Sequence, residues 1–281
     1  MKIGVALSGG GIRGIAHAGV LQALIEQNIP IDVIGGTSAG SMVASLYAVG
    51  YPPCVICELF KRYAKDIVGV NNIPHFYYSF GKKQGITGLH SGEPIEKIYD
   101  RLAKIKGVTS LNQVKMPLVI PTVDIMRAKE YIFTNYIPQQ VTDRSQYIQN
   151  ISIGKAVRAS SSFPAVFSPC YVENHAFMDG GALDNVPVYE VKKQGADKVL
   201  AVKFDADKID ENSNLMDIVM KTIDIMGSKI AEENLEMSDY ILNVYTDKVG
   251  LLDIQKLDKC YQYGYQSVMS NIEKIKEALQ Y

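Results

Sequence analysis

Apolar positions in the first fifty residues switch between two periods. Ile3-Gly4-Val5-Ala6-Leu7 is a short unbroken apolar run after Lys2, the pattern of a strand buried on both faces. From Gly14 to Gln27 the apolar residues Ile15, Ala18, Leu21, Leu24 and Ile25 fall close to helical spacing. Ile31–Gly35 reads as a second strand, and Ser41–Val49 as a second helix ended by Gly50 and the pair Pro52-Pro53. Alternation of this kind predicts a mainly parallel sheet with right-handed crossovers.

Residues 51–115 break that rhythm. They are mostly helical in pattern, with aromatic and basic residues mixed in, and are expected to form an inserted helical cap. Pro117–Asp124 and Lys129–Thr134 predict a strand pair joined by a polar turn. Ala196–Phe204 predicts another strand, followed by a long amphipathic helix over Leu215–Leu235. Tyr240–Tyr245 reads as a late strand and Leu257–Leu279 as a closing helix, with Gly264 a weak spot in it. The expected architecture is one three-layer α/β/α domain over residues 1–281, with 205–281 as its C-terminal helical and strand region. A chain of this length can bury one sizeable core.

Charge narrows the choice of partner. The chain carries 29 basic and 30 acidic residues, a net charge of -1, which provides no field for nucleic acid. No apolar run approaches the ~18 residues a membrane span needs. Met1 and Lys2 lead straight into the first strand, too short a run for a signal peptide. Cys54 and Cys57 form a lone C-x-x-C, with Cys170 and Cys260 far away, so a zinc ribbon lacks its second pair. Two small buried thiols on one helical face are expected there, and the chain reads as cytoplasmic and free of metal.

Gly36-Thr37-Ser38-Ala39-Gly40 is a G-x-S-x-G between a predicted strand and a predicted helix. That is the setting of a nucleophile elbow, in which a strained serine is exposed on a tight turn and the next N–H, here on Ala39, points at the attacked carbonyl. Gly9-Gly10-Gly11-Ile12-Arg13-Gly14 follows the first strand and opens the first helix, where successive N–H groups form an anion site. Such donors suit the oxyanion of a tetrahedral intermediate. Gly9, Gly11 and Gly14 also satisfy the dinucleotide fingerprint G-x-G-x-x-G. A dinucleotide fold, however, wants an acidic residue where the second strand ends, and Ser38 stands there, with Asp32 at the wrong end. Arg13 reads equally as an orienter of the loop or a phosphate contact, and as a donor to loop carbonyls.

A nucleophile needs a base. The histidines are His17, His75, His90 and His175, and the stretch after His175 contains none, which argues against the usual Ser–acid–His order. Asp179, at the end of Phe177-Met178-Asp179 and before Gly180-Gly181, is the leading candidate. A free Asp is a weak base, so partial desolvation would have to raise its pKa. His175 is the rival. In an extended stretch it lies roughly 13 Å from residue 179, too far for both to reach Ser38. Asp124 ends a strand and is expected to cap the turn to Arg127.

The glycine loop, the G-x-S-x-G, Arg158-Ala159-Ser160-Ser161-Ser162-Phe163-Pro164-Ala165 and Asp179-Gly180-Gly181 together resemble the patatin-like phospholipases in order and spacing, from residue 2 to about residue 204. The resemblance implies a Ser38–Asp179 dyad, an oxyanion hole from the first glycine loop, and hydrolysis of lipid acyl esters without metal or cofactor. The implied partner is a lipid or acyl-ester substrate. His75-Phe76-Tyr77-Tyr78-Ser79-Phe80-Gly81-Lys82-Lys83 interleaves aromatic and basic residues, a composition suited to transient membrane contact and equally to a cap packed on its own core. Two rival functions remain open at this point: a dinucleotide-binding oxidoreductase, and a lipid-binding protein that kept the fold without turnover.

Overall fold

The computed structural model describes residues 1–68, 88–138, 144–205, 215–246, 249 and 254–281. Its strands are β1 (Ile3–Leu7), β2 (Val33–Gly36), β3 (Leu118–Asp124), β4 (Lys129–Thr134), β5 (Ser145–Ile148), β6 (Cys170–Val172), β7 (His175–Asp179), β8 (Lys198–Phe204) and β9 (Tyr240–Val244). They form one sheet with the path β5-β4-β3-β2-β1-β8-β9, with β7 pairing to β3 and β6 to β7. The run from β3 through β2, β1 and β8 to β9 is parallel. β4 returns antiparallel to β3, and β5 runs parallel to β4.

The edges of β3 position the site. β4 covers one edge along Val119–Asp124. A strand has only one other edge, and two strands share it. β2 pairs with Leu118 and Val119, then ends. β7 comes in antiparallel further along, pairing Asp179 with Thr122 and Phe177 with Asp124. The C-terminal ends of β2 and β7 therefore converge on one stretch of β3.

Side chains alternate along the central strands, as period-2 geometry requires. Val5, Leu7, Ile34, Leu118, Ile120, Leu200 and Val202 enter the larger core. Helices α1 (Ile15–Glu26), α2 (Ala39–Ala48), α3 (Pro53–Val68), α4 (Glu93–Ile105), α5 (Ile153–Ser160), α9 (Leu257–Met269) and α10 (Ile272–Leu279) feed it. Ala6, Val33, Val119, Val199 and Ala201 face a smaller core with α6 (Val188–Lys193) and α8 (Glu232–Glu236). The result is the expected three layers. Within the segment expected to be a cap, Ile56, Phe60, Ile95 and Tyr99 sit in the same core as α1 and α2. The aromatic and basic stretch 75–83 lies outside the described residues.

Three local expectations need correction. Leu215–Leu235 is two helices, α7 (Leu215–Ile230) and α8, rather than one. The closing helix does break, but between Met269 and Ile272, not at Gly264. Gly264 is a contact point: a Cβ there would lie 1.9 Å from the Ala16 carbonyl oxygen, and one on Gly19 would lie 2.0 Å from the Tyr261 carbonyl oxygen. Two glycines let α1 and α9 cross backbone to backbone. Finally, Cys57 is buried but Cys54 is exposed, so the two thiols do not share a buried face, and none of the four cysteines is in a disulfide. Among the described residues no helix is long and apolar enough to cross a membrane.

In an open helix Gly→Ala stabilises by about 1 kcal/mol. At Gly264 the sign should reverse, with Gly264→Ala costing about 1–3 kcal/mol through overpacking against Ala16. Urea denaturation of the variant measures this. An unchanged or raised midpoint would mean that α1 and α9 do not meet at these glycines.

Candidate active site

Ser38 sits between β2 and α2 at φ 53° and ψ -121°. The left-handed backbone is strained for serine, and close contacts on both sides hold it. A Cβ on Gly36 would lie 2.3 Å from the Gly40 carbonyl, and one on Gly40 would lie 2.4 Å from the Leu7 oxygen. β1, β2 and α2 thus touch where only glycine fits. Ser38 N–H donates to Ser160 Oγ at 3.1 Å, and Ser41 Oγ donates to the Ser38 carbonyl at 2.6 Å. Thr37 Oγ1 donates to the Asp184 carbonyl at 2.7 Å.

The glycine loop lies against this elbow, with Gly14 in contact with Ala39. Gly9 N–H donates to Asn185 Oδ1 at 3.0 Å, which removes it from the expected set of oxyanion donors. Among the described residues no main-chain acceptor takes the N–H groups of Gly10, Gly11 or Ala39, which stand at the starts of helical turns. Arg13 is 2% exposed; its Nε donates to the Gly10 carbonyl at 3.2 Å and its Nη1 to the Asp205 carbonyl at 3.3 Å. It braces the loop from behind and does not line the cavity. His17 Nε2 meets the Ser8 carbonyl at 2.8 Å. Burial lowers its pKa to about 4, so the ring is neutral at pH 7 and donates there.

Asp179 closes β7. Its N–H donates to the Ser162 carbonyl at 3.0 Å, and its Oδ1 accepts from Gly181 N–H at 2.8 Å. Gly180 packs under the turn, where a Cβ would lie 2.4 Å from the Pro121 oxygen. Asp179 is 4% exposed, and its Oδ2 is buried with no hydrogen-bond partner among the described residues. Burial raises its pKa to about 6, against the opposing pull of the Ser38 hydroxyl and the Gly181 N–H.

Ser38, Ala39, Gly9, Gly10, Gly11, Ile12, Asp179 and Gly181 line one open cavity. Gly14, Gly36, Thr37, Gly40 and Gly180 stand behind it as packing and turn residues. The rest of the wall is largely apolar: Met42, Phe60, Ala64, Ile67, Phe163, Pro164, Val166, Phe167 and Ile223. His175 is at the other end of β7, its Nδ1 2.8 Å from Asp124 Oδ2. Burial pushes the Asp124 carboxyl up, but Arg127, His175 and the N–H groups of Met126 and Ala176 together hold it below the usual carboxylate range. Asp124 does cap the turn to Arg127, through Met126 N–H and Arg127 Nη1. His90 bridges Phe167, and His75 lies outside the described residues.

Sequence reasoning missed Asn185, the serine that holds Ser38 N–H, and the walls from α3 and α7. Asn185 carries no local pattern. Ser160 was one of three consecutive serines that only the fold tells apart.

The cavity is apolar over most of its wall, its polar groups gather around one serine, and it opens on an α/β/α fold. The chain belongs to the patatin-like phospholipase family, whose sequence profile matches residues 5–192. Lysophospholipase NTE1 of Lodderomyces elongisporus is 28% identical over 291 residues, 93% of this chain and 18% of that protein. The Aspergillus niger lysophospholipase nte1 is 29% identical over 306 residues, 98% of this chain and again 18% of the relative. The chain therefore spans less than a fifth of these proteins. Among solved structures, VipD from Legionella pneumophila superposes with a TM-score of 0.52 at 15% identity, over 97% of this chain and 67% of that one. ExoU in its complex with SpcU from Pseudomonas aeruginosa gives 0.52 at 17%, over 100% and 52%. At these identities the two structures speak for the fold. The family match favours the hydrolase over the dinucleotide reading.

Burial of Asp179 has a stability signature. Its pKa of about 6 in the folded state lies above the ordinary 3.8, so the folded state holds the proton more tightly. The stability this proton contributes is fully present below pH ~4 and is lost as pH rises through ~6, about 3 kcal/mol in all. Asp179→Asn should therefore be more stable than the parent at pH 8, with the gain shrinking towards pH 4. Urea midpoints at both values decide it; an equal or greater loss at pH 8 would contradict the raised pKa.

Proposed function

We propose that the protein hydrolyses acyl esters of phospholipids or lysophospholipids, with Ser38 as nucleophile and Asp179 as its base. The observation that carries this is a buried carboxyl, its pKa raised to about 6, beside a strained serine in one apolar cavity. Asp179 takes the hydroxyl proton as Ser38 Oγ attacks the ester carbonyl. The N–H groups of Gly10, Gly11 and Ala39 receive the oxyanion, where each donor is worth about 10²–10³ in rate. Collapse expels the alkoxide, which takes the proton back from Asp179. Water then attacks the acyl-serine, Asp179 accepting its proton and returning it to Ser38 Oγ. One carboxyl carries the proton both ways, so no imidazole is required. The acyl chain lies along the apolar wall, drawn from a lipid surface.

Ser38→Ala and Asp179→Asn should each reduce kcat/KM on a short-chain nitrophenyl ester by at least about 10³, and the double variant should be little worse than either, as for residues that act as a unit. A fluorophosphonate probe should label Ser38; folded protein that stays unlabelled and inactive would instead be a lipid-binding module.

The rate should rise with pH through about 6 and level off above it, following Asp179. His175→Gln should retain activity within about tenfold, whereas loss of a general base costs about 10²–10⁴. A thousandfold loss in that variant with intact circular dichroism would replace the carboxylate base with a histidine.

A further inference from the structure

Three consecutive serines join the two halves of the site. Ser160 Oγ accepts from Ser38 N–H at 3.1 Å, and the Ser162 carbonyl accepts from Asp179 N–H at 3.0 Å. Ser162 Oγ is itself engaged, donating to the Arg158 carbonyl at 2.9 Å. Ser161 stands between them and lines the same cavity. Its N–H closes α5 on the Val157 carbonyl at 3.0 Å. Its hydroxyl has no such employment: the residue is 4% exposed, and Oγ has no hydrogen-bond partner among the described residues.

A buried hydroxyl without a partner costs stability, and native proteins tolerate few. The other polar side chains of the cavity are accounted for. Ser38 and Asp179 serve the proposed chemistry, and Asn185 holds the glycine loop. An ester entering here has few atoms left to satisfy Ser161. Its carbonyl oxygen goes to the free N–H groups, and a saturated acyl chain has nothing to hydrogen-bond. The partner must lie on the alcohol half.

We propose that Ser161 is a specificity-determining residue whose hydroxyl pairs with a free hydroxyl beside the scissile ester, so that the site favours acyl esters of polyols over those of simple alcohols. The assignment rests on the Ser38–Asp179 reading. Ser161 lines the cavity, and the pairing calls for its hydroxyl to turn there between staggered χ1 wells. Sites built to bind a hydroxyl discriminate strongly against analogues lacking it, because a buried polar group is then left unpaired.

The test compares 1-octanoylglycerol with ethyl octanoate, which share the acyl chain and differ in the alcohol. The parent protein should prefer the glycerol ester. Ser161→Ala should lose about tenfold to a hundredfold in kcat/KM on that ester, the scale of one hydrogen bond to a buried group, and stay within about threefold on ethyl octanoate. Its melting temperature should hold or rise, since the hydroxyl removed had no partner. Ser161→Cys, similar in shape but a weak donor, should behave like Ala. Equal losses on both esters with a lowered melting temperature would make Ser161 structural. Equal losses with a shifted acid limb would mean that it acts through Asp179. Unchanged rates on both esters would leave it no role; each of these three results overturns the proposal. Fluorophosphonate labelling separates the two levels of inference, because an unlabelled Ser38 in the parent protein sinks the hydrolase reading itself.

Discussion

β2 abandons its edge of β3 after Val119, and β7 takes up that edge at Thr122. Everything at the site follows from this exchange. A parallel strand leaving a sheet must turn into its helix, and the turn lands Ser38 level with the vacated positions. An antiparallel strand arriving there must present its last residue at the same level, and that residue is Asp179. Two side chains 141 positions apart in sequence, 38 and 179, are thus brought together by hydrogen-bond register, without any long side chain reaching across. A one-residue slip of β7 would turn Asp179 to the opposite face. The register is fixed by Phe177, which must stay in the larger core, and by Thr122 Oγ1, which donates to the Met178 carbonyl at 2.7 Å.

Local choices at the site are unfavourable one by one. Ser38 holds a backbone conformation that costs of order 1–3 kcal/mol. Asp179 is buried where its charged form is disfavoured, and Ser161 keeps an unanswered hydroxyl. Stability has to come from elsewhere, and the two cores on the sheet faces supply it. The glycine contacts at Gly36 and Gly40 transmit that support directly, because strand and helix backbones press on the turn from both sides. Such an elbow cannot relax without moving β1.

The central strands were legible because they are continuous apolar runs, and the first two helices because their apolar spacing is clean. The elbow and glycine loop were legible because glycine has local, stereochemical uses that survive in one dimension. What escaped was decided by contacts distant in sequence. Gly264 looked like a helix flaw because nothing in residues 257–279 announces Ala16 on the other side. Cys54 and Cys57 lie on one helix, but which of them faces the core depends on α1 and α9. Asn185 and Ser160 act through single hydrogen bonds to main-chain N–H groups, and a lone polar residue with one such bond leaves no periodic trace.

The crossing of α1 and α9 also bears on the order in which the molecule can be assembled. Helix α1 carries the glycine loop at its start, and it is seated against Gly264, which a ribosome adds long after Ala16. At translation rates of about 5–20 residues per second the wait is on the order of ten to fifty seconds. During that interval the N-terminal strand and its loop have emerged while the helix that clamps them does not exist. Contacts so far apart along the chain close late and slowly. A nascent chain of this kind therefore carries α1 without its partner helix until synthesis has passed α9, and the seat of the glycine loop is completed only then.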